Sequence, residues 1–279
     1  MKKIKWILLL GILVLLFGYK FNDFHSRINI SDEKSENTTY ITIESDHIYY
    51  GDLLLINQDN PVNEIGVKRD IINLIEHQNH MQGYQLLDHN IKISEQVAER
   101  FSSMVNAAKK DQVNHFMINS GFRSFEEQNQ LYEEMGPAYA LPAGFSEHNL
   151  GLSLDIGSTL TKMEEAKEGK WLEKNSWKYG FILRYPKDKT AITGIQYEPW
   201  HFRYVGLPHS AIMYEKNLTL EQYLDYVKKK KSISVHYEGN KYYISYYDFK
   251  GESSLKIAVA RNYEISGDNK SGIIVTGME

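Results

Sequence analysis

Hydrophobic and polar positions alternate with a different texture in each part of the chain. Trp6 to Tyr19 form a charge-free run, preceded by Lys2, Lys3 and Lys5 and closed by Lys20. If Lys5 snorkels and Ile4 joins the run, it reaches the short limit of about 17 residues for a helical span. The leading lysines would hold the N-terminus in the cytoplasm. A cleaved signal peptide is the competing reading, but the following Lys-Phe-Asn-Asp-Phe-His offers no small-x-small cleavage site. Residues 1–20 are therefore expected to be an uncleaved, single-pass membrane anchor, with the rest of the chain extracytoplasmic. Residues 21–45 are mostly polar and read as a flexible tether.

Farther on, the period changes. Val97, Phe101, Met104, Val105 and Ala108 recur at helical spacing over Ser94–Lys110, with Ser94 as the expected N-cap. His115-Phe-Met-Ile-Asn reads as a short strand. Ser124-Phe-Glu-Glu127 is a capping box for a helix that ends near Gly136, and Thr219-Leu-Glu-Gln222 is another. The second helix would bury Leu220, Tyr223, Leu224 and Val227 and end in Lys228–Lys231, cations that suit a helix C-terminus. After residue 232, β-branched and alternating segments are separated by Glu238-Gly-Asn and Ser266-Gly-Asp-Asn turns. Strands and helices interleave without βαβ regularity, which predicts an α+β fold with a mostly antiparallel sheet and flanking helices. The expected organisation is anchor 1–20, tether 21–45, a catalytic domain 46–232, and a small β appendage 233–279.

Composition narrows the chemistry. Of 279 residues, 42% are hydrophobic and 24% charged, which excludes disorder throughout. The net charge of −4 argues against a nucleic-acid partner. There is no cysteine, so thiol catalysis, thiolate metal sites and disulfides are impossible. Any metal must sit on His and carboxylates. Ser31-Asp-Glu-Lys34 matches the S-x-x-K pattern of acyl-serine enzymes, but it lies in the expected tether and lacks the partner motifs. His77, His80 and His89 are expected to be exposed.

Two segments combine alternation with reactive side chains. In Ser146-Glu-His-Asn-Leu-Gly-Leu-Ser-Leu-Asp-Ile156, Leu152, Leu154 and Ile156 alternate with Ser153 and Asp155, and Gly151 marks a bend. In Tyr197-Glu-Pro-Trp-His-Phe-Arg-Tyr, Trp200, Phe202 and Tyr204 alternate with His201 and Arg203, with Pro199 at the strand start. If the two strands are neighbours, Asp155 and His201 share a polar face and His148 approaches from the bend. Two imidazoles and one carboxylate with a position left for water form a catalytic zinc set. Such a site acidifies water and needs a proton acceptor, a role that Glu198 is placed to fill. There is no H-E-x-x-H helix. Arg184 and Arg203 are expected to make structural or surface pairs.

These residues resemble the VanY-type D-alanyl-D-alanine carboxypeptidases, relatives of the VanX dipeptidases and of the hedgehog zinc domain. The resemblance is carried by Ser120-Gly-Phe-Arg-Ser124, Ser146-Glu-His-x-x-Gly-x-Ser-x-Asp155, Trp171 through Pro186, and Glu198-Pro-Trp-His201. It implies zinc on His148, Asp155 and His201, Glu198 as catalytic base, and Arg123 as the group that stabilises the oxyanion. One departure is Phe122, where many relatives have Tyr. A carboxypeptidase must also hold a free carboxylate, for which Arg123, Ser146 and Gln128 are candidates. The implied activity is removal of the terminal D-Ala from peptidoglycan precursor stems ending in D-Ala-D-Ala, which would lower their glycopeptide binding. The alternatives are an L,D-carboxypeptidase or cell-wall endopeptidase with the same site, or a non-catalytic zinc-containing binding module.

Overall fold

The computed structural model describes residues 28–31, 38–137, 139–249 and 252–279. The anchor expected at 1–20 lies outside them, as do Lys34 and much of the expected tether. Among the described residues no helix is long and apolar enough to cross a membrane. The strands are β1 (Ile28–Ser31), β2 (Thr38–Glu44), β3 (Ile71–Asn73), β4 (Tyr84–Leu86), β5 (Lys92–Ser94), β6 (Phe116–Ser120), β7 (Ser153–Ser158), β8 (Phe181–Leu183), β9 (His201–Tyr204), β10 (Ser232–Tyr237), β11 (Asn240–Asp248), β12 (Ser254–Ala260), β13 (Asn262–Gly267) and β14 (Gly272–Met278). The helices are α1 (Glu95–Lys110), α2 (Phe125–Met135), α3 (Lys167–Asn175), α4 (Thr190–Thr193), α5 (His209–Lys216) and α6 (Leu220–Lys230). The fold is α+β with mostly antiparallel sheets.

One five-stranded sheet has the order β4-β6-β7-β9-β8, antiparallel except for the parallel pair β4–β6. Its apolar face packs on α1. Val97, Phe101, Met104, Val105 and Ala108 are buried against Leu152, Leu154, Ile156 and Phe202. Burying each large apolar side chain contributes roughly 1.5–3 kcal/mol, so this face fixes which side of β7 and β9 is left for polar groups. Ser94 is the residue before α1, but its hydroxyl donates to Asp70 Oδ2 rather than capping. Asp70 Oδ2 also accepts from Gln96 N and so supplies the cap from another segment. The capping boxes at Ser124 and Thr219 form as their sequences predict.

The second five-stranded sheet, β1-β10-β11-β14-β13, and the separate two-stranded ribbon β2–β12 together correct the expected organisation twice. Residues 28–31 and 38–44, expected within a flexible tether, are strands. β1 pairs with β10, with Ile30 opposite Val235, and β2 pairs with β12 along seven residues. Their partners lie some 200 residues away, and pairing satisfies backbone groups that a solvated tether would leave to water. The C-terminal strands are likewise more than an appendage. Val235, Ile244 and Ile274 pack with Leu220, Tyr223 and Leu224 of α6 in one core, while Ile273 and Val275 face the β2–β12 ribbon with Ile43 and Ile257. The alternation along β14 therefore feeds two cores, one on each face.

Candidate active site

β7 and β9 are antiparallel neighbours with Asp155 directly opposite His201. Their apolar neighbours Leu154 and Phe202 face the core, so the carboxylate and imidazole emerge on the other face. His148 reaches the same point from a short 3-10 turn, Glu147–Leu150, that ends at Gly151. Gly151 has φ +82°, a conformation that permits the abrupt entry into β7 and that side chains disfavour. Ser146 is the N-cap of this turn, where its Oγ accepts from His148 N at 3.3 Å. Candidate ligand atoms of His148, Asp155 and His201 all lie within 4.8 Å of one another.

The hydrogen bonds decide what these three can hold. His148 Nδ1 donates to Gly121 O at 2.6 Å, which leaves Nε2 as a lone pair, 3.3 Å from Asp155 Oδ2. A Cβ at Gly121 would run into the Lys92 carbonyl, so glycine allows the close strand approach that positions this acceptor. His201 Nε2 donates to Glu147 Oε2 at 3.3 Å, and Nδ1 faces Asp155 Oδ1 at 3.1 Å. Burial pushes His148 down, and neighbouring Arg123 and His201 add to this against Asp155. Burial also opposes charge on His201, but hydrogen bonds to Asp155 and Glu147 win and lift its pKa to about 9. Asp155 is held well below the usual carboxylate range: burial would raise it, and the two imidazoles outweigh burial. A neutral imidazole lone pair, a carboxylate and a second imidazole nitrogen thus converge, and the donor set fits a cation such as Zn2+.

Around this point is a cleft of about 690 Å³. Glu198 lines it, with Oε2 3.8 Å from His201 Nδ1 and the side chain 29% exposed. Burial raises the Glu198 pKa; His201 and Arg123 oppose the rise, and Asp155 and Glu147 add to it. A carboxylate biased upward is suited to accept and return a proton near neutral pH. Arg123 and Gln128 also line the cleft. Arg123 Nε and Gln128 Oε1 are buried without a hydrogen-bond partner among the described residues, although Gln128 Nε2 donates to Leu141 O at 2.6 Å. Such groups are costly unless something binds to them. All seven residues singled out in the sequence, including Ser146, border this one cleft.

Residues 90–207 match the VanY family, described as D-alanyl-D-alanine carboxypeptidase. The chain is 54% identical over 295 residues to a D-alanyl-D-alanine carboxypeptidase from Enterococcus faecium, covering 99% of this chain and 96% of that protein. The chain belongs to the VanY family. Among solved structures it is similar to the vancomycin-resistance D,D-dipeptidase VanXYg bound to a D-Ala-D-Ala phosphinate analogue, with TM-score 0.75 and 30% identity, over 87% of this chain and 99% of that one. It is also similar to a VanY D,D-pentapeptidase from a VanB-type resistance cassette, solved with Zn(II), with TM-score 0.51 and 30% identity, over 62% of this chain and 98% of that one. The E. faecium match takes in both the N-terminal strands and the C-terminal sheet of this VanY-family chain.

Several features of the site escape sequence reading. Glu147 borders the cleft at 2% exposure, beside His148 in the same motif. Its pKa is held far down: burial would raise it, but Arg184, Arg203 and His201 dominate. Arg184 and Arg203, expected to make structural or surface pairs, are both buried and make structural ones to Glu147. Tyr185, with its ring centroid 4.9 Å from that of His201, also lines the cleft, and burial raises its hydroxyl pKa so that it stays a donor. Trp200 is 41% exposed on the rim, and Pro199 lies in the turn before β9 instead of opening the strand. Of the three histidines expected to be exposed, only His89 is: His77 is half-buried, its Nδ1 donating to Asn73 O at 2.9 Å, and His80 is buried, with its carbonyl accepting from the Ser102 and Tyr84 hydroxyls.

Proposed function

We propose that this protein is a membrane-anchored zinc D,D-carboxypeptidase. It acts outside the membrane and removes the terminal D-Ala from peptidoglycan precursor stems ending in D-Ala-D-Ala. The observation that carries this reading is the meeting of the His148, Asp155 and His201 donor atoms beside Glu198 in a cleft that also holds Arg123. Membership of the VanY family supports the D,D preference and a role in glycopeptide resistance. The run at residues 6–19 supports the anchor.

His148, Asp155 and His201 would hold the ion. A zinc ion bound there supplies positive charge to the scissile carbonyl and acidifies water. Glu198 takes the proton from the attacking water and delivers it to the departing amine of D-Ala. Arg123 brings a half-buried guanidinium to the oxygen that gains negative charge in the transition state. Burial lowers the Arg123 pKa, and Asp155, Glu198 and Glu127 pull it back up, so it remains a cation. Gln128 and Ser146 orient the substrate from the cleft wall.

The test is mass spectrometry of stem peptides after incubation with the metal-free and zinc-loaded protein. Zinc-dependent conversion of pentapeptide to tetrapeptide is expected. Cleavage confined to tetrapeptide stems would replace this reading with an L,D-carboxypeptidase. Turnover that survives chelation would remove zinc.

A further inference from the structure

We infer that Glu147, clamped between Arg184 and Arg203, is the positioning residue that fixes His201 as a metal ligand through Nδ1, and that it ties the metal site to helix α6. This rests on the zinc reading above. Glu147 Oε1 accepts from Arg184 Nε and Arg203 Nη1, both at 2.8 Å. Oε2 accepts from His201 Nε2 at 3.3 Å and Ser153 Oγ at 3.2 Å. Those four donors fill the acceptor sites of one carboxylate. Arg184 then passes to α6, with Nη2 on Glu221 Oε1 at 2.7 Å and Nη1 on Glu221 Oε2 at 3.1 Å. Arg203 Nη2 donates to the carbonyls of Asp52 and Leu54 at 3.0 Å each.

A cluster of buried ions is a weak device for stability, because apolar residues of similar volume often serve as well or better. Its geometry at His201 suits a different task. The bond from Nε2 keeps a proton on that nitrogen and leaves Nδ1 for the cation, and a charged acceptor makes the imidazole a stronger donor to metal. His148 obtains the same tautomer control from a backbone carbonyl and needs no such partner. Glu147, itself held by two guanidiniums, cannot turn away from the ring. Glu221 balances the second guanidinium, which makes the fit of α6 part of the support for His201.

The test uses the full chain, stripped of metal, with Zn2+ as the probe. Zinc affinity is measured by competition with a chromophoric chelator, and the imidazole nitrogens are followed by nitrogen-15 resonance. Glu147→Asp keeps the charge between the arginines but shortens the reach to His201. It is expected to fold, to bind zinc about 10–100-fold more weakly, and to lose the hydrogen-bonded Nε2–H signal of His201. Glu221→Gln, remote from metal and substrate, is expected to weaken zinc binding in the same direction by less. A folded Glu147→Asp protein with parental zinc affinity and an intact Nε2–H signal would overturn the inference. If that variant does not fold, Glu221→Gln decides by the same readouts, and no change in either would overturn it. A parental protein that takes up no zinc would instead defeat the metal reading, and this inference with it.

Discussion

The two five-stranded sheets are built from similar alternation but use it differently. In β7 and β9, one face packs on α1 and the other carries Asp155 and His201. In β14, both faces are apolar, with Ile274 toward α6 and Ile273 and Val275 toward the β2–β12 ribbon. A sheet that buries one face has another free for chemistry. A sheet that buries both serves as a wall. The second sheet still bears on the first, because α6 lies on it and Glu221 of α6 grips Arg184 behind His201.

Breaking that dependence should have the largest effect. A chain ending at residue 231 would lose Val235, Ile244 and Ile274 from the core of α6. It is expected to be insoluble or to lack a cooperative melting transition. A soluble, active product would show that the C-terminal strands are an appendage after all.

Within the first sheet the next effects are catalytic. Glu198→Gln preserves shape but cannot accept a proton, so zinc content and melting temperature should hold while kcat falls roughly 10²–10⁴-fold. Arg123→Ala should also bind zinc, and lose about 3 kcal/mol of transition-state stabilisation. If Arg123 holds the substrate carboxylate as well, KM rises as kcat falls. Steady-state kinetics beside metal analysis would separate the two, and near-normal kcat in Glu198→Gln would remove Glu198 from the mechanism.

The difference between the sheets also explains what could be read from the sequence. The strand pair β7–β9 was legible because short-range alternation sorted Leu154 and Phe202 from Asp155 and His201, and because the ligand motif is compact. The helix stripe of α1 and both capping boxes were legible for the same reason. β1 and β2 were not: Ile28-Asn-Ile-Ser31 sits among polar residues, and the pairing that makes it a strand comes from β10, about 200 residues later. Glu147 stood in plain view beside His148, but its partners Arg184 and Arg203 are brought to it only by the fold. The one available signal was its place between a cap residue and a ligand, in a segment otherwise buried.

Proton competition sharpens the contrast between the two imidazoles. In the metal-free protein His201 has a pKa raised to about 9, whereas that of His148 is lowered. A raised histidine pKa stabilises the fold fully below its unfolded value near 6.5, and that contribution is lost as pH rises through about 9. The melting temperature of the metal-free protein should therefore receive a falling contribution from His201 between those values. Zinc must displace the Nδ1 proton, so its affinity should rise about tenfold per pH unit toward pH 9 and then level. Calorimetry at several pH values would check both, and a flat zinc affinity would show that His201 gives up no proton.

The smallest effects compare the two capping boxes, one in each region. Ser124→Ala and Thr219→Ala each remove a side-chain acceptor at a helix start, from Glu127 N and Gln222 N. Each should cost about 1 kcal/mol, seen as a drop of a few degrees in melting temperature. Their catalytic consequences should differ. Ser124 follows Arg123, and Asn149 Nδ2 donates to Arg123 O at 2.8 Å and Ser124 O at 3.3 Å, so the helix start and the cleft wall are one structure. Fraying there loosens a guanidinium whose Nε has no hydrogen-bond partner among the described residues, and KM should rise severalfold. The first turn of α6 is pinned by the two bonds from Arg184 to Glu221, which remain after Thr219→Ala. That variant should keep kcat/KM within about twofold of the parent. Equal losses of both stability and activity in the two variants would mean that the cleft is no more sensitive to α2 than to α6, and would count against the placement of Arg123 at the substrate.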